Sequence, residues 1–202
     1  METASFRDPS GRLFLHDGHV FRAMTSAGFE ELSAAQSSDS LAGFVSSGNL
    51  VTVSTVDASR ADDVLKSTDF GDSLNYLAEH ERIPFQNYPY EWSAEMLFAA
   101  AELTLDLHEK LLGEGFGLKD ATPYNVLFRG PKPVFVDWLS FEKRDPLDHV
   151  WLPQAQFLRT FVLPLLVNKE FGVPLSQIFQ TNRDGIEPEQ VYAMAGAFKR
   201  LT

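Results

Sequence analysis

The 202-residue sequence contains no cysteine. That absence excludes a disulfide framework, thiolate zinc sites and cysteine nucleophiles. It is typical of a protein of the reducing cytoplasm, and the start of the chain lacks the basic and apolar regions of a signal peptide. No apolar run approaches the roughly 18 residues that a membrane-spanning helix needs. We therefore expect a cytoplasmic protein without a membrane partner.

Basic residues are scarce, with 17 lysines and arginines against 28 aspartates and glutamates, which gives a net charge of −11. This balance disfavours nucleic acid as a partner, because a nucleic-acid binder needs a basic face. An acidic protein that handles ATP would need metal ions to offset the repulsion of the phosphates. Hydrophobic residues make up 44% of the chain, which is enough for the core of one large domain or two small lobes.

The first part of the chain, residues 1–87, predicts a small β-rich lobe. Two short apolar runs, residues 12–15 and 19–22, flank Asp17-Gly18, a dipeptide that tolerates the positive φ of a hairpin turn. Further elements are predicted after the hairpin: a helical stretch within 25–45, a strand at 50–56, a short helix capped by Asp57 or Ser59, and a strand at 76–83.

Residues 88–202 predict a mostly helical lobe. Ser93 is a good N-cap, and apolar residues recur after it at three- and four-residue spacing until Gly113 and Gly115 stop the helix. Later elements are two short strands about Gly130-Pro131, an apolar helix over 157–167 that Pro164 should kink or end, and a last helix opened by Pro188. No stop signal follows that helix, so we expect a piece of a longer protein.

Three polar residues within residues 118–142 carry the strongest functional signal. Asn125 follows Asp120 by five positions, and Asp137 follows Asn125 by twelve, at the end of an apolar strand. Phosphoryl-transfer enzymes of the protein-kinase type need such a set, in which one Asp is the base, the Asn holds Mg²⁺ and the second Asp bridges the metal to ATP. Taken singly, Asp120 and Asn125 are ordinary turn residues near Pro123. The matched spacing of all three favours a kinase-type site.

The Asp137-Trp138 pair after an apolar strand resembles small-molecule phosphotransferases of the aminoglycoside and choline kinase type. That resemblance implies an α+β, protein-kinase-like two-lobe fold, with an N-lobe over residues 1–87 and a C-lobe over residues 88–202. It implies Mg²⁺ and ATP as cofactors and a small-molecule or sugar-like hydroxyl as phosphate acceptor.

The sequence departs from working kinases where the phosphates should be anchored. No lysine stands on a strand of the first lobe, since its one lysine, Lys66, falls in a predicted helix. Arg22 is the best substitute, with Glu30 or Glu31 as its expected partner, although Arg is larger and more rigid than Lys. Lys119, which precedes Asp120, would contact the γ-phosphate or orient that Asp.

Four longer segments carry a second resemblance: residues 79–85, 88–93, 118–125 and 133–142. Together they are similar to a bacterial family labelled class I SAM-dependent methyltransferases, or nodulation-type methyltransferases. The resemblance implies a methyltransferase domain or partner. A SAM site needs a glycine-rich turn after a first strand, and residues 46–49 precede a strand instead. The label would then belong to a domain beyond this chain, or would have been carried over from another protein.

Three functions therefore stand open. The first is transfer of phosphate from Mg²⁺-ATP to a small molecule; the second is a pseudokinase or accessory domain of a methyltransferase; the third is methylation by this chain itself. The five histidines form no ligand pattern. His80 and His108 are expected on the surface of a strand and of a helix.

Overall fold

The structure, a computed structural model, describes residues 10–70, 73–145 and 147–196. The outer ends of the two predicted lobes, 1–9 and 197–202, lie outside the described residues. The strands are β1 Gly11–His16, β2 His19–Met24, β3 Val53–Thr55, β4 Tyr76–His80, β5 Phe116–Leu118, β6 Val126–Arg129, β7 Lys132–Phe135 and β8 Phe141–Lys143. The α-helices are α1 Ser26–Gln36, α2 Asp39–Ser47, α3 Ala58–Lys66, α4 Ala94–Leu112, α5 Gln154–Phe157, α6 Leu163–Phe171, α7 Leu175–Thr181 and α8 Pro188–Met194. This content is the predicted α+β mixture.

An antiparallel sheet with the order β1-β2-β4-β3 forms the first part of the molecule. The predicted hairpin is confirmed: Asp17 and Gly18 connect β1 to β2 with φ values of 50° and 83°. Positive φ at both central residues is the geometry that lets a two-residue turn follow the twist of the strands. The predicted strand at 50–56 is shorter than expected, because Leu50 leaves the sheet for an isolated parallel bridge to Phe135.

Side-chain caps set the helix boundaries. Asp57 accepts a hydrogen bond from the Arg60 amide and starts α3, and Ser93 accepts one from the Met96 amide and starts α4, both as predicted. Each cap satisfies a backbone donor that the first helical turn leaves without a partner. The helical stretch expected within 25–45 is two helices, α1 and α2, which are capped by Thr25 and Ser38.

Two small antiparallel pairs, β5 with β8 and β6 with β7, lie after α4. Between them the chain makes two 3₁₀ turns, Pro123–Asn125 and Trp138–Ser140. Pro164 does not end the last long helix, because a π-helical segment, Leu158–Val162, precedes α6 and puts the proline in its first turn. The helix is continuous from α5 to α6, and the wider π-helical turn before Pro164 accommodates the backbone hydrogen bond that a proline cannot donate.

The larger of two hydrophobic cores draws on both predicted lobes. It combines Met24 and Leu32 from the first part with Leu97, Phe135 and Phe161 from the second. The smaller core lies under α3 and includes Phe14, Phe21 and Leu77.

None of the helices in the described ranges combines the length and hydropathy needed to cross a bilayer.

Candidate functional site

A cleft of about 280 Å³ lies between the first sheet and the β6–β7 pair. Six of its lining residues are apolar: Leu13, Val20, Val51, Ile83, Leu127 and Val136. The polar lining includes Arg22, His80, Tyr124, Asn125 and Asp137. Three of the five site residues suggested by the sequence therefore line one cleft: Arg22, Asn125 and Asp137.

Strand register explains why Arg22 and His80 meet in this cleft. Arg22 pairs with Leu13 across the hairpin, and Val20 pairs with His80 across the β2–β4 contact. Residues directly opposite each other in a sheet share a face, and so do residues two apart. Leu13, Val20, Arg22 and His80 therefore point to the same side, while Phe21 points away into the smaller core.

Arg22 forms an ion pair with Asp137, with 2.8 Å between its Nη2 and the carboxylate Oδ1. The Arg22 side chain is only 6% exposed and that of Asp137 is 24% exposed. The expectation that Glu30 or Glu31 would be the partner of Arg22 is wrong. Glu31 pairs instead with Lys119, and Glu30 accepts a hydrogen bond from the Ser26 hydroxyl at 3.4 Å.

A buried hydroxyl connects the two expected metal ligands. Asn125 donates through Nδ2 to the Ser140 hydroxyl at 2.9 Å, and that hydroxyl donates to Asp137 Oδ2 at 2.9 Å. The Leu139 amide also donates to Asp137, at 3.3 Å. Sequence reasoning gave Ser140 no role, although a lone hydroxyl residue in an apolar stretch is a usable sign of a buried polar contact.

Lys119 and Asp120 do not line the cleft. Lys119 Nζ lies 2.9 Å from Glu31 Oε2, and both side chains are partly exposed. Asp120 is exposed. Two side chains fix the backbone of the neighbouring Ala121. Its amide donates to Gln156 Oε1 at 2.7 Å, and its carbonyl accepts from the Thr160 hydroxyl at 3.4 Å.

His80 is buried in the cleft wall, so its predicted surface position is wrong. Burial, and then the nearby Arg22 guanidinium, lower the pKa of His80 to about 3, against a smaller opposing effect of Asp137. The sequence misled because β4 is an inner strand with both faces covered, and Ala78, on the same face, is fully buried. That small apolar neighbour was the available signal.

His108 is also buried, contrary to its predicted surface position on α4. Its ring stacks on Trp151 with 4.3 Å between centroids, and its Nδ1 accepts a hydrogen bond from the Leu118 amide at 3.3 Å. Burial, and then Arg144, lower its pKa. These contacts give His108 a structural role beneath β5.

The donor types in the cleft suit Mg²⁺, because carboxylate and amide oxygens are its usual protein ligands. Asn125 and Asp137 would hold the metal. However, Arg22 already neutralises Asp137, and Ser140 is hydrogen-bonded to the second carboxylate oxygen. Among the described residues, no three Asp, Glu or His side chains are grouped as a metal site. The residue types therefore fit a metal ion, while both oxygens of Asp137 are in contact with other side chains of this protein.

Comparison with known proteins gives one informative similarity. The chain is 37% identical over 183 residues, 90% of its length, to Nodulation protein NoeA of Rhizobium meliloti (strain 1021). It spans about a third, 36%, of the length of that curated relative. No family model matches the chain. The predicted similarity to a nodulation protein is confirmed, and the methyltransferase label remains a prediction.

Proposed function

We propose that this chain is a non-catalytic, protein-kinase-like domain that works with a SAM-dependent methyltransferase domain or partner. The observation that carries the proposal is the 2.8 Å ion pair between Arg22 and Asp137. In a kinase, the corresponding cation faces the phosphates and the Asp faces the metal. Here the two groups pair with each other, and the base-like Asp120 is exposed and does not line the cleft.

Electrostatics support this assignment. A divalent metal would have to displace the guanidinium from Asp137, which would leave the Arg22 charge without this partner in a place where its side chain is 6% exposed. Giving up an ion-pair contact in a place removed from water costs up to several kcal/mol. The phosphates of ATP would have to repay that penalty in a chain whose net charge is already −11.

The similarity to NoeA supports the accessory part of the proposal. The matching region is about a third of that relative, so NoeA has length for other domains. The SAM-site features missing from this sequence would lie in such a domain. If so, a NoeA variant without the region similar to this chain should still bind SAM, and the 202-residue chain alone should not.

Titration calorimetry with ATP tests the non-catalytic assignment directly. We expect no Mg²⁺-dependent binding by the wild-type chain, because Asp137 is already paired. The matched control is Asp137→Asn, which should behave the same. Mg²⁺-dependent ATP binding that disappears in Asp137→Asn would overturn the proposal.

A phosphotransferase remains the second candidate, favoured by one observation. Arg22, Asn125 and Asp137 line the same cleft although more than a hundred residues separate the first from the others. In that function Asn125 and Asp137 would hold Mg²⁺, ATP would supply the phosphoryl group, and Arg22 would contact its phosphates. Its test is phosphate transfer from Mg²⁺-ATP to aminoglycoside or choline-type hydroxyls. Activity lost in Asp120→Asn but kept in the exposed control Asp106→Asn would favour it.

A further inference from the structure

Large hydrophobic side chains are unevenly exposed among the helices of this protein. Helices α1, α2 and α3, which the structure describes completely, expose none. Helix α4 exposes three: Phe98 at 54%, Leu105 at 42% and Leu112 at 50%. Single exposed leucines are ordinary, whereas an apolar surface made of several such side chains is a common sign of an interaction site. The three residues are informative only if they lie on the same face of the helix.

The three side chains lie in one line along α4. They are seven residues apart, and seven residues of an α-helix come within about 20° of two full turns. Phe98, Leu105 and Leu112 therefore form a stripe, here called the α4 stripe, which is roughly 20 Å long. The buried leucines of α4 are other residues, so the α4 stripe is not the face that packs on the core.

Acidic side chains border the α4 stripe on one side. Glu95, Glu102 and Glu109 are exposed, and each stands three or four residues from a member of the stripe, which makes them its neighbours on the helix surface. The buried Ala101 and His108 lie on the other side. This arrangement is complementary to an apolar line with a positive border. It disfavours an anionic lipid surface, and also a second copy of this chain, whose net charge is −11.

A pocket of about 370 Å³ lies at the C-terminal end of the α4 stripe, where Leu112 is one of its lining residues. His108 and Trp151 also line it, with their rings stacked at 4.3 Å between centroids. Leu118 fixes both rings, because its amide donates to His108 Nδ1 and its carbonyl accepts from the Trp151 indole, each at 3.3 Å. The pocket is therefore preformed, which lowers the cost of ordering a side chain bound in it.

The segment after β8 supplies the charged lining of this pocket. Arg144 donates through Nη2 to the carbonyls of Asp148 and Val150, both at 2.9 Å, and so fixes that segment. The Asp148 carboxylate lies 3.9 Å from the same guanidinium, and the exposed Asp145 adds a second carboxylate. Two carboxylates thus stand against one guanidinium. A lysine of a partner fits this lining, with its aliphatic stem on Leu112 and its ammonium near the carboxylates.

We propose that the α4 stripe and the pocket at its end form a docking surface for an amphipathic helix of a partner domain, whose apolar line is bordered by lysines or arginines. Recognition of a helix through anchors at helical spacing is a common binding mode. About two thirds of NoeA lies outside the region similar to this chain, so that relative has length for such a helix. Only the assignment of the partner as a methyltransferase rests on the proposed function.

Fluorescence anisotropy with three labelled synthetic helical peptides tests the surface on the intact chain. The first peptide carries leucines in one line bordered by lysines, and the second has glutamates in place of the lysines. The third has the composition of the first, with its leucines distributed around the helix. At physiological ionic strength we expect saturable, one-to-one binding of the first, at least tenfold tighter than that of either other peptide. Equal binding of the first and third, or no binding of the first, would overturn the proposal.

Variants locate the binding on α4. Leu105→Gln removes the centre of the stripe, so we expect about tenfold weaker binding of the first peptide. Its matched control is Met194→Gln, an exposed apolar position on α8, which should bind as the wild type does. Glu102→Gln combined with Glu109→Gln should weaken binding several-fold and reduce its salt dependence, with the exposed Glu189→Gln as control. Wild-type affinity in Leu105→Gln and in the double variant would overturn the proposal.

The other two occupants have readouts of their own. A dimer in sedimentation velocity that Leu105→Gln dissociates would assign the surface to a second copy and overturn the proposal. Co-sedimentation with vesicles of phosphatidylcholine and phosphatidylglycerol that Leu105→Gln abolishes would assign it to a membrane, with the same consequence. We expect a monomer that does not sediment with the vesicles.

These results are separable from the test of the proposed function. Mg²⁺-dependent ATP binding would overturn the non-catalytic assignment, while the peptides would still decide whether the α4 stripe is a docking surface. Failure of the first peptide would remove the docking surface and leave the Arg22–Asp137 argument untouched.

Discussion

Two of the ion pairs that connect the first part of the molecule to residues 118–142 differ in their surroundings. Arg22 and Asp137 meet in the cleft with side chains 6% and 24% exposed, while Lys119 and Glu31, which do not line it, have side chains 29% and 37% exposed. In sequence terms both cations looked like candidates for phosphate contacts. In the fold only one of them lines the cleft.

The difference in exposure indicates which of the two cations contributes more to the stability of the cleft. A pair near water gains little, because solvent screens it and its long side chains must be ordered. A pair removed from water is costly to separate, since either partner left alone keeps an unpaired charge. Arg22 therefore stabilises the cleft by holding Asp137 in place. Lys119 contributes little to stability through its pair with Glu31.

Removing the buried cation should have the largest effect. Arg22→Met keeps much of the side-chain length and leaves Asp137 without its charged partner, so we expect the free energy of unfolding to fall by about 3 kcal/mol. Urea denaturation measures it. Arg60→Met, which breaks the more exposed contact with Glu79, is the control and should lose less than about 1 kcal/mol. Similar losses in the two variants would erase the contrast.

Low pH should reduce the free energy of unfolding through His80, which lines the same cleft. The pKa of His80 falls from 6.5 in the unfolded chain to about 3 in the folded protein, so only the unfolded chain takes up its proton between those values. The stability from neutral His80 is fully present above about pH 6.5. It is lost as the pH falls towards 3, by about 1.4 kcal/mol per pH unit.

Urea midpoints between pH 7 and 5 measure this dependence, because most carboxylates are still ionised there. His80→Phe should show a flatter profile over that interval, since the variant has no proton to gain at this position. A wild-type profile as flat as that of the variant would contradict the prediction.

A conservative substitution of Arg22 should reduce stability by less than its removal does. Arg22→Lys keeps the charge but replaces a rigid, forked guanidinium by a compact ammonium with different reach. We expect a loss of about 1 kcal/mol in unfolding free energy, between the wild type and Arg22→Met. A loss as large as that of Arg22→Met would show that geometry, and not charge, stabilises the pair.

The smallest effect should come from the outer pair. Lys119→Met should reduce the free energy of unfolding by about 0.5 kcal/mol or less, and the loss should shrink further at high salt because the pair is partly exposed. Equilibrium unfolding at low and high ionic strength checks it. A salt-independent loss above about 2 kcal/mol would place Lys119 in the same class as Arg22.

Local signals predicted the elements that depend on local chemistry. The Asp17-Gly18 turn and the Ser93 cap are set by neighbours within a few residues, and the structure has both. Arg22, Asn125 and Asp137 line one cleft, while Asp120, the first member of the spaced set, does not, and the expected roles of these residues remain a prediction. The kinase-like two-lobe architecture itself remains a prediction.

Long-range pairing decided what the sequence could not. Arg22 pairs with Asp137, and not with Glu30 or Glu31, which are closer to it in sequence. Glu31, on α1, pairs instead with Lys119, which follows Glu31 by 88 residues. His80 was misplaced because burial on both faces of an inner strand depends on what packs there. Both outcomes come from the tertiary arrangement, which overrides local pattern.

The bridge between Leu50 and Phe135 has a consequence for motion. It is reinforced by hydrogen bonds in both directions, from the Val51 amide to the Phe135 carbonyl at 3.0 Å and from the Phe135 amide to the Asn49 carbonyl at 2.8 Å. The Trp138 indole adds a third, to the Val51 carbonyl at 2.9 Å. These hydrogen bonds connect the two sides of the cleft through the backbone, so we expect the two sides to move together. Hinge closure, which many nucleotide enzymes use, would have to break them, and we expect ligands to enter instead by local opening of the β1–β2 edge.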